Sequence, residues 1–310
     1  MCGIAGIIYR DGTHEIGRDM TRMLQSMKHR GPDSTGYALY GPHQHHQIVM
    51  RYTLADSNTP RDFEFDGRLE RHQRQVVDRL KTAGAEILEH ERETDYAHRL
   101  NLAYGGDLKD LTDRIEDIPD AEVLSVGHSL EIVKDLGDAE TVAHQYDLNG
   151  FNGTHAIGHV RMATESDVDI SGAHPYWAYP FNDVAVVHNG QLTNYFQWKR
   201  RLERSGHRFQ SECDSEIIAV YLAEKMAEGS DLESAMRDSL EELDGVFTYI
   251  AVTDDALGVA KDEMAAKPLV LYESDEVVAL ASEEIAIRAV FDREIDTHDP
   301  YEGEVMVWAR

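Results

Sequence analysis

Near the start of the chain, GIAGIIY (3–9) runs seven residues without a charge, a pattern that predicts a strand buried on both faces. Apolar positions then recur at helical spacing through DMTRMLQSMKH (19–29). After the turn-rich loop RGPDSTG (30–36), YALY (37–40) and QIVMRYTLA (47–55) return to strand character. The stretch from about 60 to 147 has its own rhythm: VVDRLKTAG is helical, AEILEHERE and YAHRLNLAY alternate as paired strands, LKDLTDRIEDI is helical, and AEVLSVG and LEIVKDLG are strands. With IVMRYTL counted, strand-helix-strand-strand-helix-strand predicts a small inserted ferredoxin-like or ACT-like α/β module. From 150 onward, HAIGHVR (155–161) and DVAVVHNG (183–190) read as strands, NYFQWKRRLERSG and DSEIIAVYLAEKMAEG as helices, with Gly206 and Gly229 as C-caps. A further helix, LESAMRDSLEEL, precedes five short strands. Runs of strands mixed with runs of helices give an α+β layered fold rather than strict βαβ alternation.

The chain has 310 residues, 42% of them apolar, enough for a sizeable core. Its 58 acidic against 30 basic residues give a formal charge of -28, spread along the chain. That excess speaks against a nucleic-acid partner, which needs clustered Lys and Arg, and suits a strongly hydrated surface in a salt-rich cytoplasm. Two cysteines, Cys2 and Cys213, make no disulfide framework, so a reducing cytoplasm is expected. No stretch approaches the roughly 20 apolar residues of a membrane span. The histidines of PHQHHQ (42–47) read as a solvated turn rather than a metal site.

Chemistry concentrates in short motifs. If Met1 is removed, Cys2 carries a thiol and a free α-amino group together, with reference pKa values of about 8.5 and about 8, so nucleophile and base share one residue. HRGPDSTG (29–36) is a loop that Arg30 and Asp33 are able to brace by ion pairing. HVRMATES (159–166) ends a strand with Arg161, whose planar fork suits a carboxylate, and adds the Thr164 hydroxyl. In VVHNGQ (186–191), Asn189 and Gly190 form either a hairpin turn or a pair of oxyanion donors, the Asn amide and the Gly N–H. ECDSE (212–216) opens a helix with Asp214 at the N-cap, as a cap or as a binder of a substrate ammonium. Nucleophile, oxyanion donors, carboxylate clamp and ammonium clamp together suit an α-amino acid whose side chain ends in a carbonyl.

MCGI, HRGPDSTG, GHVRMATES, AHPYW, VVHNG and ECDSE stand in the order of the class II glutamine amidotransferase domain, an N-terminal-nucleophile hydrolase, and the chain is identified as resembling that family. The resemblance implies an αββα four-layer sandwich over residues 1–310, interrupted by the module at 60–147. It implies hydrolysis of L-glutamine through a γ-glutamyl thioester, with Cys2 as nucleophile, Asn189 and Gly190 as oxyanion hole, Arg161 and Thr164 on the α-carboxylate and Asp214 on the α-amino group. No metal and no cofactor is implied. Met162 and Glu165 depart from the aromatic and histidine that many members carry there.

Motifs of the appended synthase domains are absent. The middle module, LDGVFTYIAV (243–252) and DEMAAKPLV (262–270) look most like the separate glutaminase subunit of split glutamate-synthase-like or N-methylglutamate-synthase-like systems. That likeness implies two partners, a flavin-binding synthase subunit and a glutamate-synthase-type repeat subunit. Two other functions fit the same residues: a stand-alone γ-glutamyl amide hydrolase, and a non-catalytic amino-acid-binding regulatory subunit. From the charge alone, the melting temperature is expected to rise between dilute buffer and molar KCl as screening relieves self-repulsion. A melting temperature unaffected by salt contradicts adaptation to a salt-rich cytoplasm.

Overall fold

The computed structural model describes residues 2–43, 47–55, 59–162, 170, 172–178 and 183–310. Its largest sheet has six antiparallel strands, in spatial order β13 (Val270–Glu273), β14 (Val277–Ala281), β1 (Gly3–Tyr9), β8 (His155–Arg161), β2 (Ser34–Tyr40) and β7 (Leu130–Leu136). A second antiparallel sheet runs β15 (Val305–Ala309), β12 (Ala256–Lys261), β11 (Gly245–Val252), β10 (Ala185–Leu192), β9 (Tyr176–Trp177). The two sheets face each other, β1 and β8 against β10 and β11. Apolar side chains fill the space between them: Ile4 and Ile8, on the same face of β1 as Gly6, Val187 of β10 and Ile250 of β11 belong to one buried cluster.

Helices cover both outer faces. Helix α1 (Ile16–Ser26) packs on β1, β2 and β8 beside α4 (Ala139–Gln145) and α8 (Glu284–Arg288). Helices α5 (Tyr195–Arg204), α6 (Asp214–Ala227) and α7 (Leu232–Glu242) cover the second sheet. These are the four layers of an αββα sandwich. Strand β1 is buried along its whole length because it is central in its sheet and covered on both faces. Gly6 permits the close approach of the sheets, since a Cβ there would stand 3.2 Å from both Ile250 Cγ2 and Leu257 Cδ1. Gly206 and Gly229 terminate α5 and α6 at positive φ, 95° and 106°. After α5, the His207 N–H returns to the Leu202 carbonyl at 3.1 Å. Helix α1 begins at Ile16, three residues before its apolar repeat suggests, and Gly17 in its first turn leaves room for the Leu148 carbonyl.

A third sheet of four antiparallel strands is ordered β4 (Glu86–Arg92), β5 (Ala97–Ala103), β3 (Gln47–Thr53), β6 (Glu122–Gly127), with α2 (Phe65–Thr82) and α3 (Leu108–Glu116) as its helices. Numbered along the chain from β3, that order is 4-1-3-2, the split βαβ arrangement of ferredoxin-like modules. Its strands thus run from 47 to 127, and β7 lies in the six-stranded sheet.

Buried charge joins the module to the sandwich. Glu131 on β7 accepts from Arg51 Nε of β3 at 2.8 Å and from Arg99 of β5 at 2.8 and 3.0 Å. Burial raises the Glu131 pKa, yet the guanidinium of Arg51 and the bonds from Arg99 outweigh it and hold the carboxylate below its usual range. The turn from β6 to β7 is clasped by Asp183, whose carboxylate accepts the N–H groups of His128, Ser129 and Leu130 at 3.0, 2.9 and 2.8 Å.

Replacing Glu131 by Ala leaves Arg51 buried beside fewer anions and is expected to cost about 3–5 kcal/mol in urea denaturation. A loss below about 1 kcal/mol would show the network to be dispensable. Buried neutral histidines set an acid limit. Burial lowers His155 to about 4 and His98 to about 3, against about 6.5 in an unfolded chain. Their stabilising contribution is present above about pH 6.5 and is lost as pH falls toward those folded values, because the unfolded state binds the protons first. The urea midpoint should therefore drop between pH 7 and pH 5; an unchanged midpoint contradicts this.

Candidate functional site

Cys2 stands at the foot of β1, and its backbone is held from two layers. Its carbonyl accepts Arg30 Nε at 3.0 Å and Asn189 Nδ2 at 3.0 Å. Arg30 is fixed in turn by Glu283 at 2.7 Å, which also meets His29 at 3.0 Å. Arg30 thus serves Cys2 and Glu283. The Cys2 thiol is half-buried, 4.0 Å from the Met162 carbonyl. Met1 lies outside the described residues.

Asn189 and Gly190 are not a turn. They continue β10, paired with Thr248 and Phe247 of β11. Asn189 therefore projects from the second sheet toward the first, where Nδ2 also lies 3.3 Å from Ser282 Oγ. Ser282 Oγ accepts the Ile4 N–H at 3.0 Å, so the start of β1, Asn189 and the end of β14 are stitched together. Gly190 has φ +149°, and a Cβ there would stand 2.3 Å from the Val246 carbonyl oxygen. Only glycine fits without displacing β11.

Arg161 ends β8, opposite Ser34 of β2, and its carbonyl accepts the Asp33 N–H at 3.1 Å. With Gly3 paired to Val160, the register brings Arg161 beside Cys2. Gly31 lets its loop lie against this strand end: a Cβ there would stand 2.4 Å from the Arg161 carbonyl carbon. Thr164 and Glu165 lie outside the described residues, as do positions 44–46 of the histidine-rich turn.

Asp214 is the first residue of α6, with Cys213 at the N-cap, one position earlier than the sequence pattern places it. Asp214 Oδ2 accepts the Leu192 N–H at 2.7 Å, tying α6 to the end of β10, two residues beyond Gly190. Beneath it three imidazoles are buried. His159 stacks on His174 at 4.1 Å; His188 Nδ1 meets Ser215 Oγ at 2.7 Å, and Ser215 Oγ meets His174 Nε2 at 3.2 Å. The His188 N–H donates to His174 Nδ1 at 3.3 Å, which places the His174 proton on Nε2. Burial lowers the pKa of all three, His159 to about 3, so the wall behind Asp214 is polar but neutral. Among the described residues no group of three or more His, Cys, Asp or Glu is arranged to hold a metal.

The structure thus gathers Cys2, Asn189, Gly190, Arg161 and Asp214 at one end of the sandwich. Arg30, Ser282, Glu283 and Ser215 complete it. The sequence offered no signal for Ser282 and Glu283, which reach Cys2 only through long-range pairing. No described helix is long and apolar enough to cross a membrane.

Comparison with known proteins agrees with the geometry. Residues 159–289 match the family model of the glutamine amidotransferase domain. A protein of Methanothermobacter thermautotrophicus, named as a candidate glutamine amidotransferase, is 41% identical, with 99% of each chain covered. The glutamine amidotransferase-like protein GlxB of Rhizobium meliloti is 36% identical over 91% of this chain and 89% of its own. In three dimensions the glutamine phosphoribosylpyrophosphate amidotransferase of B. subtilis aligns with TM-score 0.60 at 20% identity. That alignment covers 99% of this chain, which spans about half the other's length (47%), and it bears on fold alone. The chain belongs to the glutamine amidotransferase family and has the class II, N-terminal-nucleophile fold.

Proposed function

We propose that this chain hydrolyses L-glutamine to glutamate and ammonia through a Cys2 thioester and delivers the ammonia to a partner synthase of glutamate-synthase-like type. The observation that carries the reading is the convergence on Cys2: Asn189 touches its carbonyl, Arg161 is its strand neighbour, and Asp214 is fastened to the strand that bears Asn189.

With Met1 removed, the Cys2 α-amino group takes the thiol proton, through a water, as sulfur attacks the side-chain amide carbon. Negative charge then develops on the amide oxygen. Asn189 Nδ2 carries two hydrogens, one on the Cys2 carbonyl and one on the long 3.3 Å contact to Ser282. The second is the one to exchange for the oxyanion, since Ser282 Oγ keeps the Ile4 N–H. Together with the Gly190 N–H this gives two donors, each typically worth about 3–4 kcal/mol in the transition state. The amine returns its proton to the departing nitrogen, releasing ammonia and leaving the thioester. Water, deprotonated by the same amine, cleaves it to glutamate and free thiol. Arg161 and Thr164 hold the α-carboxylate and Asp214 the ammonium.

Partner subunits, one flavin-binding and one with the glutamate-synthase-type repeat, follow from the likeness of LDGVFTYIAV and DEMAAKPLV to separate glutaminase subunits. Intact mass should show loss of Met1, and the protein should release glutamate and ammonia in equal amounts from glutamine. Cys2→Ala should lower that rate by at least about 10³-fold. A Cys2→Ala protein that still hydrolyses glutamine overturns the assignment. Affinity purification from the source cells should bring down a flavoprotein; a wild-type chain that prefers N-substituted γ-glutamyl amides and isolates alone contradicts the subunit role.

A further inference from the structure

We propose that the four-stranded module acts on glutamine affinity from a distance. In this arrangement Glu116 of α3 and Gln210 of the loop before α6 are positioning residues for Asp214. The inference rests on the reading of Asp214 as holder of the substrate ammonium.

Asp214 is only as well placed as the loop that delivers it. That loop is wound onto its own helix by Glu216, 1% exposed, whose Oε1 accepts the Gln210 N–H at 2.7 Å. Glu216 Oε2 accepts the N–H and the hydroxyl of Ser211 at 2.8 and 2.7 Å, and Ser211 Oγ accepts the Cys213 N–H at 3.1 Å. A glutamate in the first turn that reaches back to the chain before its helix is a capping device. It fixes the loop's shape but not its place against the rest of the molecule.

Gln210 supplies the place. Its backbone belongs to the Glu216 cluster, while its side chain crosses to the module, Nε2 donating to Glu116 Oε1 at 2.6 Å and lying 3.3 Å from the Val123 carbonyl. Glu116 Oε1 also accepts the Val123 N–H at 3.2 Å. Arg208 pairs with Glu116 and, at 3.2 Å, with Asp113 one turn earlier on α3. The Glu116 side chain is 6% exposed, so its direction is set by these donors rather than by water. At the far end, the Asp214 contact to the Leu192 N–H closes the path onto β10. The path runs from Glu116 through Gln210 and Glu216 to Asp214 by hydrogen bonds of 2.6 and 2.7 Å and a two-residue step within the first turn of α6. A charge-assisted bond to an ammonium is sensitive to displacements of a fraction of an ångström. Loosening the outer link therefore weakens the grip on glutamine and leaves Cys2 and Asn189 untouched.

The test uses two amides, glutamine and glutaramate, which is glutamine without its α-amino group. Gln210→Glu sets a carboxylate against Glu116. We expect it to raise KM for glutamine about tenfold with kcat within about twofold, and to change kcat/KM for glutaramate less than about twofold. Adding Glu116→Gln restores a donor–acceptor pair with the roles exchanged and should bring KM back to within about threefold of wild type. If Gln210→Glu does not fold, Gln210→Met, which keeps the length and removes the donor, is read in the same way. An equal loss on both substrates, or a lower melting temperature with KM unchanged, overturns the inference and leaves the amidotransferase reading intact. A wild-type protein without activity on glutamine overturns that reading, and this inference with it.

Discussion

Two hydrogen bonds to one carbonyl, that of Cys2, govern the rest of this site. A residue at the end of a chain ordinarily frays, and a nucleophile carried there has to be immobilised without losing its freedom to react. Here the restraint falls on the Cys2 backbone oxygen, leaving the α-nitrogen and the sulfur to the proposed chemistry. Arg30 comes from the helix side of the first sheet, Asn189 from the second sheet. The proposed nucleophile is therefore positioned only when both sheets are packed, so the site is a product of the complete sandwich. Burying β1 between β14 and β8 fixes the direction in which the chain emerges, and the close approach at Gly6 brings the sheets near enough for Asn189 to reach across.

The same economy recurs farther out. Asn189 and Gly190 keep strand geometry because β11 pairs with them, and glycine at 190 both accepts the positive φ and leaves room for the Val246 carbonyl. Asp214 is carried by a helix whose first turn is bonded to that strand. Below it, the buried histidines supply donors and acceptors without net charge. The ferredoxin-like module is attached by ion pairs at Glu131 and by the Asp183 clasp, and it touches the loop that leads to Asp214.

Much of this was legible in the sequence where the information is local. GIAGIIY reads as a buried strand because it is one, and the glycines after α5 and α6 mark helix ends by the same physics that makes them adopt positive φ. Cys2, Arg161, Asn189, Gly190 and Asp214 stand out because each sits in a short motif of unusual chemistry. Local reading left Asn189-Gly190 open between a hairpin turn and a pair of oxyanion donors, and only its pairing with Thr248 and Phe247 removes the turn. Arg30 was legible as a brace but not as a brace of Cys2, since Glu283 lies 253 residues away. Gln210 and Glu116 are 94 residues apart and carry no pattern at all until the fold brings them to 2.6 Å.

The central claim is that Cys2, freed of Met1, is the nucleophile for a γ-carbonyl presented by Asn189, Gly190, Arg161 and Asp214. Treatment with a diazoketone analogue of glutamine, followed by peptide mass spectrometry, tests it most directly. The account predicts one adduct per chain, on the sulfur of an amino-terminal peptide that begins with Cys2, and protection by excess glutamine. An adduct on Cys213, or an amino-terminal peptide that still carries Met1 and takes no label, would contradict it.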